Sequence, residues 1–321
     1  RVARLVEKGV SPPSILLLTF TRKAAHEMLR RASALLDQRC EHVAGGTFHS
    51  FANTILRQHA HHLGFNHGFS IMDRSDAEGL ISMLRKEMGS LAKQRGFPRK
   101  QTLANIFSRA INKATSVEDV IYDDYPHFAA YRQAILDLSQ SYQQRKVELN
   151  LCDFDDLLVY LHRLLIENID LRERIAAAYE HIMVDEYQDT NPIQSEIVNL
   201  LAGHANNIMV VGDDSQSIYA FRGADIRNIL EFPEQFPNTQ IIRLEENYRS
   251  TQPILDLANA GIDQARDKYT KVLFSRKGGG HKPALVRAYD ESSQSLYIIK
   301  ELKRLNQKGI PYNRMAVLFR A

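Results

Sequence analysis

Ile182-Met-Val-Asp-Glu-Tyr-Gln-Asp-Thr190 sets three apolar residues directly before two adjacent carboxylates. A short apolar run that breaks off at charged residues reads as a buried strand, with Asp185 and Glu186 at its carboxyl end. One carboxylate in that position can hold Mg²⁺, and a second beside it can orient or deprotonate an attacking water, as phosphoryl transfer requires. Asp-Glu after an apolar run is also an ordinary loop start, so the reading depends on its surroundings.

The same grammar recurs on both sides. Ile15-Leu-Leu-Leu-Thr-Phe20 follows the breaker Ser11-Pro-Pro13 and leads into Thr21-Arg-Lys-Ala-Ala-His-Glu-Met-Leu-Arg30, a helix with a threonine cap. Ile208-Met-Val-Val211 precedes Gly212, and Ile241-Ile-Arg-Leu244 precedes Glu245. Buried runs separated by helices predict an α/β fold, a parallel sheet with crossover helices whose ligands sit at the carboxyl ends of the strands. Residues 70–146 break this pattern. Asp76 to Met88, Gln101 to Lys113 and Phe128 to Lys146 read as helices with no buried strand among them, an all-helical insertion between residues 1–69 and 147–239. It carries Arg85, Lys86, Lys93, Arg95, Arg99, Lys100, Arg109 and Lys113, which suit either duplex phosphates or a solvated face. From residue 240 a second unit is expected, with a helix from Thr251, a Lys277-Gly-Gly-Gly280 joint, strands at 284–288 and 315–319, and a helix between them from Ser292 to Asn306.

Composition narrows the class. The chain has 321 residues, 44% of them apolar, enough for two domains with real cores. No apolar run approaches the roughly 20 residues that cross a bilayer, so no membrane partner is expected. Cys40 and Cys152 are too far apart to form a disulfide or zinc framework, which favours a reducing, cytoplasmic setting. A net charge of +3 excludes binding of nucleic acid by bulk charge alone. His59, His61, His62 and His67 cluster in sequence but lack Cys or carboxylate partners at ligand spacing.

Two further strand ends carry chemistry. Gly212-Asp-Asp-Ser-Gln-Ser-Ile-Tyr-Ala-Phe-Arg-Gly223 offers the Gln216 amide to a phosphate oxygen, and Tyr219, Phe221 and Arg222 to nucleobases. The aromatics alone would suit a core equally well. In Leu244-Glu-Glu-Asn-Tyr-Arg-Ser250, Arg249 can neutralise charge on a transferred phosphoryl group and Tyr248 can stack on a base.

Taken in order, Thr19-Phe-Thr-Arg-Lys-Ala-Ala25, Gly46-Thr-Phe-His-Ser50, Asp153-Phe-Asp-Asp-Leu157, Val184-Asp-Glu-Tyr-Gln-Asp-Thr190, Gly212-Asp-Asp-Ser-Gln-Ser-Ile-Tyr219 and Glu246-Asn-Tyr-Arg-Ser250 resemble the motif series of superfamily 1 DNA helicases of the UvrD/Rep/PcrA type. Ala316-Val-Leu-Phe-Arg320 resembles the start of a further motif. The resemblance implies RecA-like domains of the P-loop NTPase type, the second incomplete, with ATP and Mg²⁺ as cofactors and 3′ to 5′ movement on single-stranded DNA. Single-strand/duplex junctions and repair or replication proteins are the implied partners. By position, Asp185 would serve Mg²⁺, Glu186 would be the catalytic base, Gln216 and Arg249 would contact the γ-phosphate, and Tyr248 would stack on adenine. For DNA the matches are Phe20, Thr21, Thr47, Phe48, His49, Tyr219, Phe221 and Arg222. Phe221 stands where the family commonly has tryptophan, a smaller stacking face.

A motor of this type needs a Gly-rich loop ending in Gly-Lys-Thr to cradle phosphates. No segment here supplies it, and Gly278-Gly-Gly280 has neither the preceding strand nor the following Lys-Thr. Arg1 to Lys8 reads as the remainder of the helix such a loop opens, so the isolated chain is expected to hydrolyse ATP poorly or not at all. An ATP-independent module binding single-stranded DNA or a protein partner, and a helicase-nuclease subunit, are the alternative readings. A Gly-x-x-Gly-x-Gly-Lys-Thr segment just before Arg1 in the parent sequence would favour the motor.

Overall fold

The computed structural model describes residues 1–65, 68–90, 94–203, 207–266 and 268–319, so His67, Lys93 and Arg320 lie outside the described residues. Two compact units emerge: Arg1–Ile241 with Lys268 and Tyr269, and Ile242–Arg266 with the residues from Thr270 on.

In the first unit, helix α1 (Val2–Glu7) leads to strand β1 (Ile15–Thr19), α2 (Arg22–Leu35), β2 (Ala44–Thr47) and α3 (Phe48–His59). Strand β3 (Ser70–Ile71) opens the insertion, whose helices are α4 (Arg74–Glu87), α5 (Lys100–Asn112), α6 (Val117–Asp124) and α7 (Arg132–Glu148). The chain returns through β4 (Leu151–Cys152), α8 (Phe154–Glu167), α9 (Ile169–Ala177), β5 (His181–Val184), α10 (Pro192–Ala202) and β6 (Ile208–Val210), then the short helices α11 (Arg227–Leu230) and α12 (Phe232–Gln235).

The main sheet has the order β2-β1-β5-β6, and every pairing is parallel. It is covered on both faces, which is why its central strands read as continuous apolar runs. Leu16, Leu18, Ile182 and Val184 pack with Phe51, Leu56, Leu161 and Val198 of α3, α8 and α10. Ile15, Leu17 and Met183 point the other way, toward Val6, Ala32, Cys40 and Val43. Both cysteines are free and buried. The expected threonine cap forms, with the Thr21 hydroxyl accepting from the Ala24 amide at 3.1 Å.

The insertion has its own core, built from residues such as Ile81, Leu103, Ile106, Ile121, Ile135 and Leu138. It is not purely helical at its root, because β3 and β4 form a two-stranded parallel clasp where the chain leaves and re-enters the parent unit. Two residues per strand are too few to register as a periodic signal. Strand β2 is hidden for another reason: its interior Gly45 and Gly46 contribute no apolar pattern. A Cβ on Gly46 would lie 2.4 Å from the Ser50 hydroxyl, so the close return of α3 requires the bare backbone.

The second unit contains α13 (Gln252–Ile262) and α14 (Glu291–Gln307), together with a single parallel bridge between Glu246 and Phe274. The runs expected as strands at 241–244, 284–288 and 315–319 are unpaired among the described residues. Leu244, Leu285, Leu318 and Phe319 are accordingly exposed. Local propensity makes an extended segment, but a strand exists only through a partner ladder. No helix among the described residues is long and apolar enough to cross a membrane.

Candidate nucleotide and single-strand site at the strand ends

Because all four main strands are parallel, the segments that follow β1, β2, β5 and β6 share one edge of the sheet. The turn after β5 is the most constrained of them. The Asp185 amide donates to the Leu18 carbonyl at 2.9 Å, which continues the β1 ladder. Glu186 adopts a left-handed backbone, φ 54° and ψ 43°, a strained state for a glutamate that directs its side chain outward. Tyr187 then turns back into the core, where it is fully buried and its hydroxyl lies 3.0 Å from that of Ser195.

Gln188 connects this turn to the next strand end. Its amide nitrogen donates to the Glu186 carboxylate at 3.0 Å, and its amide oxygen accepts from the Asp213 backbone at 3.0 Å. Gly212 is required beside it, since a Cβ there would meet the Gln188 oxygen at 2.5 Å and Ile229 at 2.7 Å. Gln216 is exposed on the following turn, donating to Asp213 at 2.8 Å. Burial first, and then the Glu186 charge, raise the pKa of Asp185 above the usual aspartate value. Such an excess of negative charge is what a divalent cation relieves, and one or two carboxylates are the usual protein share of a magnesium site completed by phosphates. Among the described residues there is no cluster of three or more His, Cys, Asp or Glu able to hold a metal alone. That count includes the described histidines His59, His61 and His62.

The aromatic candidates form a row. Phe20 and Tyr219 have ring centroids 5.4 Å apart, Tyr219 and Phe221 5.8 Å, and the Arg222 guanidinium lies 5.6 Å from both of the latter rings. Phe221 is 63% exposed, so its ring is presented to a ligand rather than placed in a core. Phe20, His49, Phe221 and Arg222 line a cleft of about 380 Å³ whose other wall includes Asn112, Asp155 and Asp189. Burial lowers the pKa of His49 and favours the neutral imidazole, which edges onto Phe154 at 6.2 Å.

Of the expected DNA contacts, one is buried in the main core and two serve as helix caps. Phe48 is 3% exposed within the main core, so its ring cannot stack on a base as the chain stands. The capping box of α3 explains this: Thr47 and Ser50 fix the first turn, and the next residue necessarily faces the sheet. Thr47 is itself buried and occupied in that box, and the Thr21 hydroxyl caps α2 while its residue remains exposed. The basic stretch of the insertion is partly neutralised internally. Arg109 and Lys113 both pair with Asp124, at 2.9 and 2.8 Å, and Lys100 pairs with Glu78 at 3.6 Å.

Gln188, Asp189 and Asn112 have no assigned role in the sequence reading. Gln188 was legible in principle, as a polar residue placed among positions that must be buried. In the second unit, an Asn247 turn accepts from the Arg249 and Ser250 amides at 2.9 and 2.7 Å and leaves Tyr248 and Arg249 exposed. A hydrogen bond to Glu246 raises the Tyr248 pKa and keeps the phenol neutral.

A parallel sheet with a carboxylate pair, an amide-bearing turn and an aromatic–arginine row at its carboxyl edge has its candidate ligand site where open α/β folds place theirs. The chain belongs to the UvrD/REP helicase family: the family model for the UvrD/REP helicase N-terminal domain matches residues 1–237, and that for the UvrD-like helicase C-terminal domain matches residues 242–321. The fold is therefore RecA-like. Its relatives include the ATP-dependent DNA helicase PcrA of Staphylococcus epidermidis and that of Leuconostoc citreum, each 36% identical, and PcrA of Staphylococcus aureus, 35% identical. All of this chain aligns, but it spans only 43%, 42% and 43% of those proteins.

Proposed function

We propose that this chain is part of an ATP-dependent DNA helicase or translocase that moves 3′ to 5′ on single-stranded DNA, acts in DNA repair or replication, and works in the cytoplasm at single-strand/duplex junctions. The observation that carries the reading is the Gln188 bridge, which ties the Glu186 carboxylate to the segment bearing Gln216 and the aromatic row.

Asp185 is assigned to Mg²⁺, which would neutralise phosphate charge and orient the β and γ oxygens. Glu186 accepts the proton of the attacking water, its position fixed by the left-handed turn and the Gln188 amide. Gln216 contacts the γ-phosphate. On the second unit, Arg249 is assigned to the charge that develops during transfer, and Tyr248 to the adenine face. Phe20, Tyr219, Phe221 and Arg222 hold successive bases, with His49 at the cleft wall and Thr21 and Thr47 supporting the backbone from the helix starts. Since these residues contain no Gly-Lys-Thr loop, turnover belongs to the full-length polypeptide, and the isolated chain hydrolyses ATP poorly or not at all.

The test is Glu186→Gln in the full-length polypeptide. Nucleotide binding stays within about threefold of wild type, while DNA-stimulated hydrolysis falls by roughly 10²–10⁴. Wild-type turnover would remove Glu186 from the mechanism. Family-typical turnover by the isolated chain would overturn the assignment of its inactivity.

A further inference from the structure

Asn112, the last residue of α5, is a point where the insertion meets three segments of the first unit, at Asp155, Asn191 and Gly223. One hydrogen of its amide goes to the Asp155 carboxylate at 2.8 Å, at the start of α8. The other goes back to the Ser108 carbonyl at 2.8 Å and so fixes the rotamer. Its oxygen accepts from the Asn191 amide at 2.8 Å. Asn191 in turn caps α10 through Gln194 and directly follows the turn that carries Glu186, Gln188 and Asp189. Thr190, one residue earlier, accepts through its carbonyl from the Asp225 backbone at 3.0 Å and the Asn228 side chain at 2.9 Å.

The backbone of Asn112 makes the third connection. Gly223, immediately after Arg222, has φ +86°, and a Cβ there would lie 2.5 Å from the Asn112 carbonyl oxygen. The end of α5 is therefore in van der Waals contact with the segment that bears Phe221 and Arg222. Asn112, Asp155 and Asn191 also line the same cleft as Phe20, His49, Phe221 and Arg222. A strand occupying that cleft bears on the hub, and the hub bears on the cap of the helix that follows the catalytic turn.

We propose that Asn112 is a positioning residue that couples occupancy of the aromatic cleft to the Glu186 turn, so that the helical insertion takes part in DNA stimulation of hydrolysis. This rests on the helicase reading above. The amide suits the task because it is donor to one partner and acceptor to the other, so the two bonds polarise each other and neither partner can shift alone. Neither Asn112 nor Asp155 contacts the reacting atoms in this reading.

The donor–acceptor polarity supplies the test. Asn112→Asp sets a carboxylate against Asp155. Asn112→Asp combined with Asp155→Asn restores a donor facing an acceptor and keeps the charge of the wild type. In the full-length polypeptide, the single variant lowers the ratio of DNA-saturated to DNA-free kcat by about tenfold. Its DNA-free kcat and KM for ATP stay within about twofold of wild type. The double variant recovers the ratio to within about threefold of wild type. If the single variant does not fold, Asn112→Ala carries the same expectation and the double variant still reports recovery. An unchanged ratio in the folded single variant overturns the coupling. So does an equal fall of both rates accompanied by a lower Tm, or a double variant that folds without recovery. Absence of DNA stimulation in the wild type would overturn the helicase reading itself and the coupling with it.

Discussion

Replacing Lys146 tests how the insertion is anchored. This side chain is fully buried on α7, with its ammonium 2.7 Å from Asp153 and 2.7 and 2.8 Å from the two oxygens of Asp156. Tyr142 donates to Asp153 at 2.9 Å and its ring lies 4.4 Å from the ammonium. One cation thus serves two carboxylates, and the unbalanced charge shows in their titration. Burial pushes Asp156 up to about 6, whereas for Asp153 the burial penalty is outweighed by Lys146 and the hydrogen bonds, and its pKa is lowered. Lys146→Met leaves two buried carboxylates uncompensated, at a cost of about 3–5 kcal/mol near pH 8. For a unit of this size that lowers Tm by roughly 6–20 °C. In the variant both folded carboxyl pKa values lie above the unfolded value. A carboxyl raised in this way stabilises fully below its unfolded pKa and loses that contribution as pH rises through the folded one. The deficit is therefore small near pH 4 and grows through pH 6. Urea or thermal unfolding of wild type and variant at pH 4.5 and 8 reads it directly. Adding Asp153→Asn and Asp156→Asn to Lys146→Met recovers most of the loss at pH 8, because asparagine retains the cap of α8. A deficit equal at both pH values, or below about 1 kcal/mol at pH 8, would refute the account.

Four further outcomes follow from the site geometry. Gly212→Ala drives a methyl into Gln188 and Ile229 and breaks the bridge to Glu186, lowering stability by about 1–3 kcal/mol in denaturant unfolding and reducing hydrolysis by the full-length polypeptide. Phe221→Ala weakens single-stranded DNA binding by about 1–3 kcal/mol in fluorescence titrations without changing Tm. Phe48→Ala does the reverse, costing about 3–5 kcal/mol of stability through a core cavity. Asp189 has its carboxyl pushed up to about 6 by burial and then by Glu186, and it faces the aromatic cleft. Its stabilising contribution, complete below about pH 4, is lost as pH rises through 6, and the charge it then acquires opposes a phosphodiester. Single-strand affinity at fixed ionic strength therefore falls between pH 5.5 and 7.5, and Asp189→Asn flattens that fall. An equal fall in the variant would refute the role.

The sheet was legible where burial on both faces forces continuous apolar runs, as at Ile15–Thr19 and His181–Val184. Asp185, Glu186 and Phe20 were legible as candidates because they follow those runs immediately. What escaped depended on close packing, local caps and pairing partners, none of which leaves an apolar pattern. Gly45 and Gly46 conceal β2, since the signal there is the close approach of Ser50 and Leu29 rather than an apolar pattern. Phe48 looked like Phe20 in sequence, and only the capping of α3 decides that one ring faces the core and the other the cleft. The expected strands of the second unit had the right composition, but composition does not supply pairing partners.

The division of rigidity within the site bears on mechanism. A left-handed glutamate costs about 1–3 kcal/mol and persists only where its surroundings over-determine it. Here they do, because Tyr187 is locked in the core on one side and the Thr190 hydroxyl donates to the Tyr187 carbonyl at 2.6 Å on the other. The candidate base is thus held by the fold before any ligand arrives. Gln216, Phe221, Arg222, Tyr248 and Arg249 are by contrast exposed and sit on short turns or loops. On the proposed reading, a fixed base beside exposed sensors puts the control of turnover in the sensors and in the α10 cap. Asn112 reaches that cap through Asn191 and the Arg222 segment through Gly223, without touching Glu186 itself.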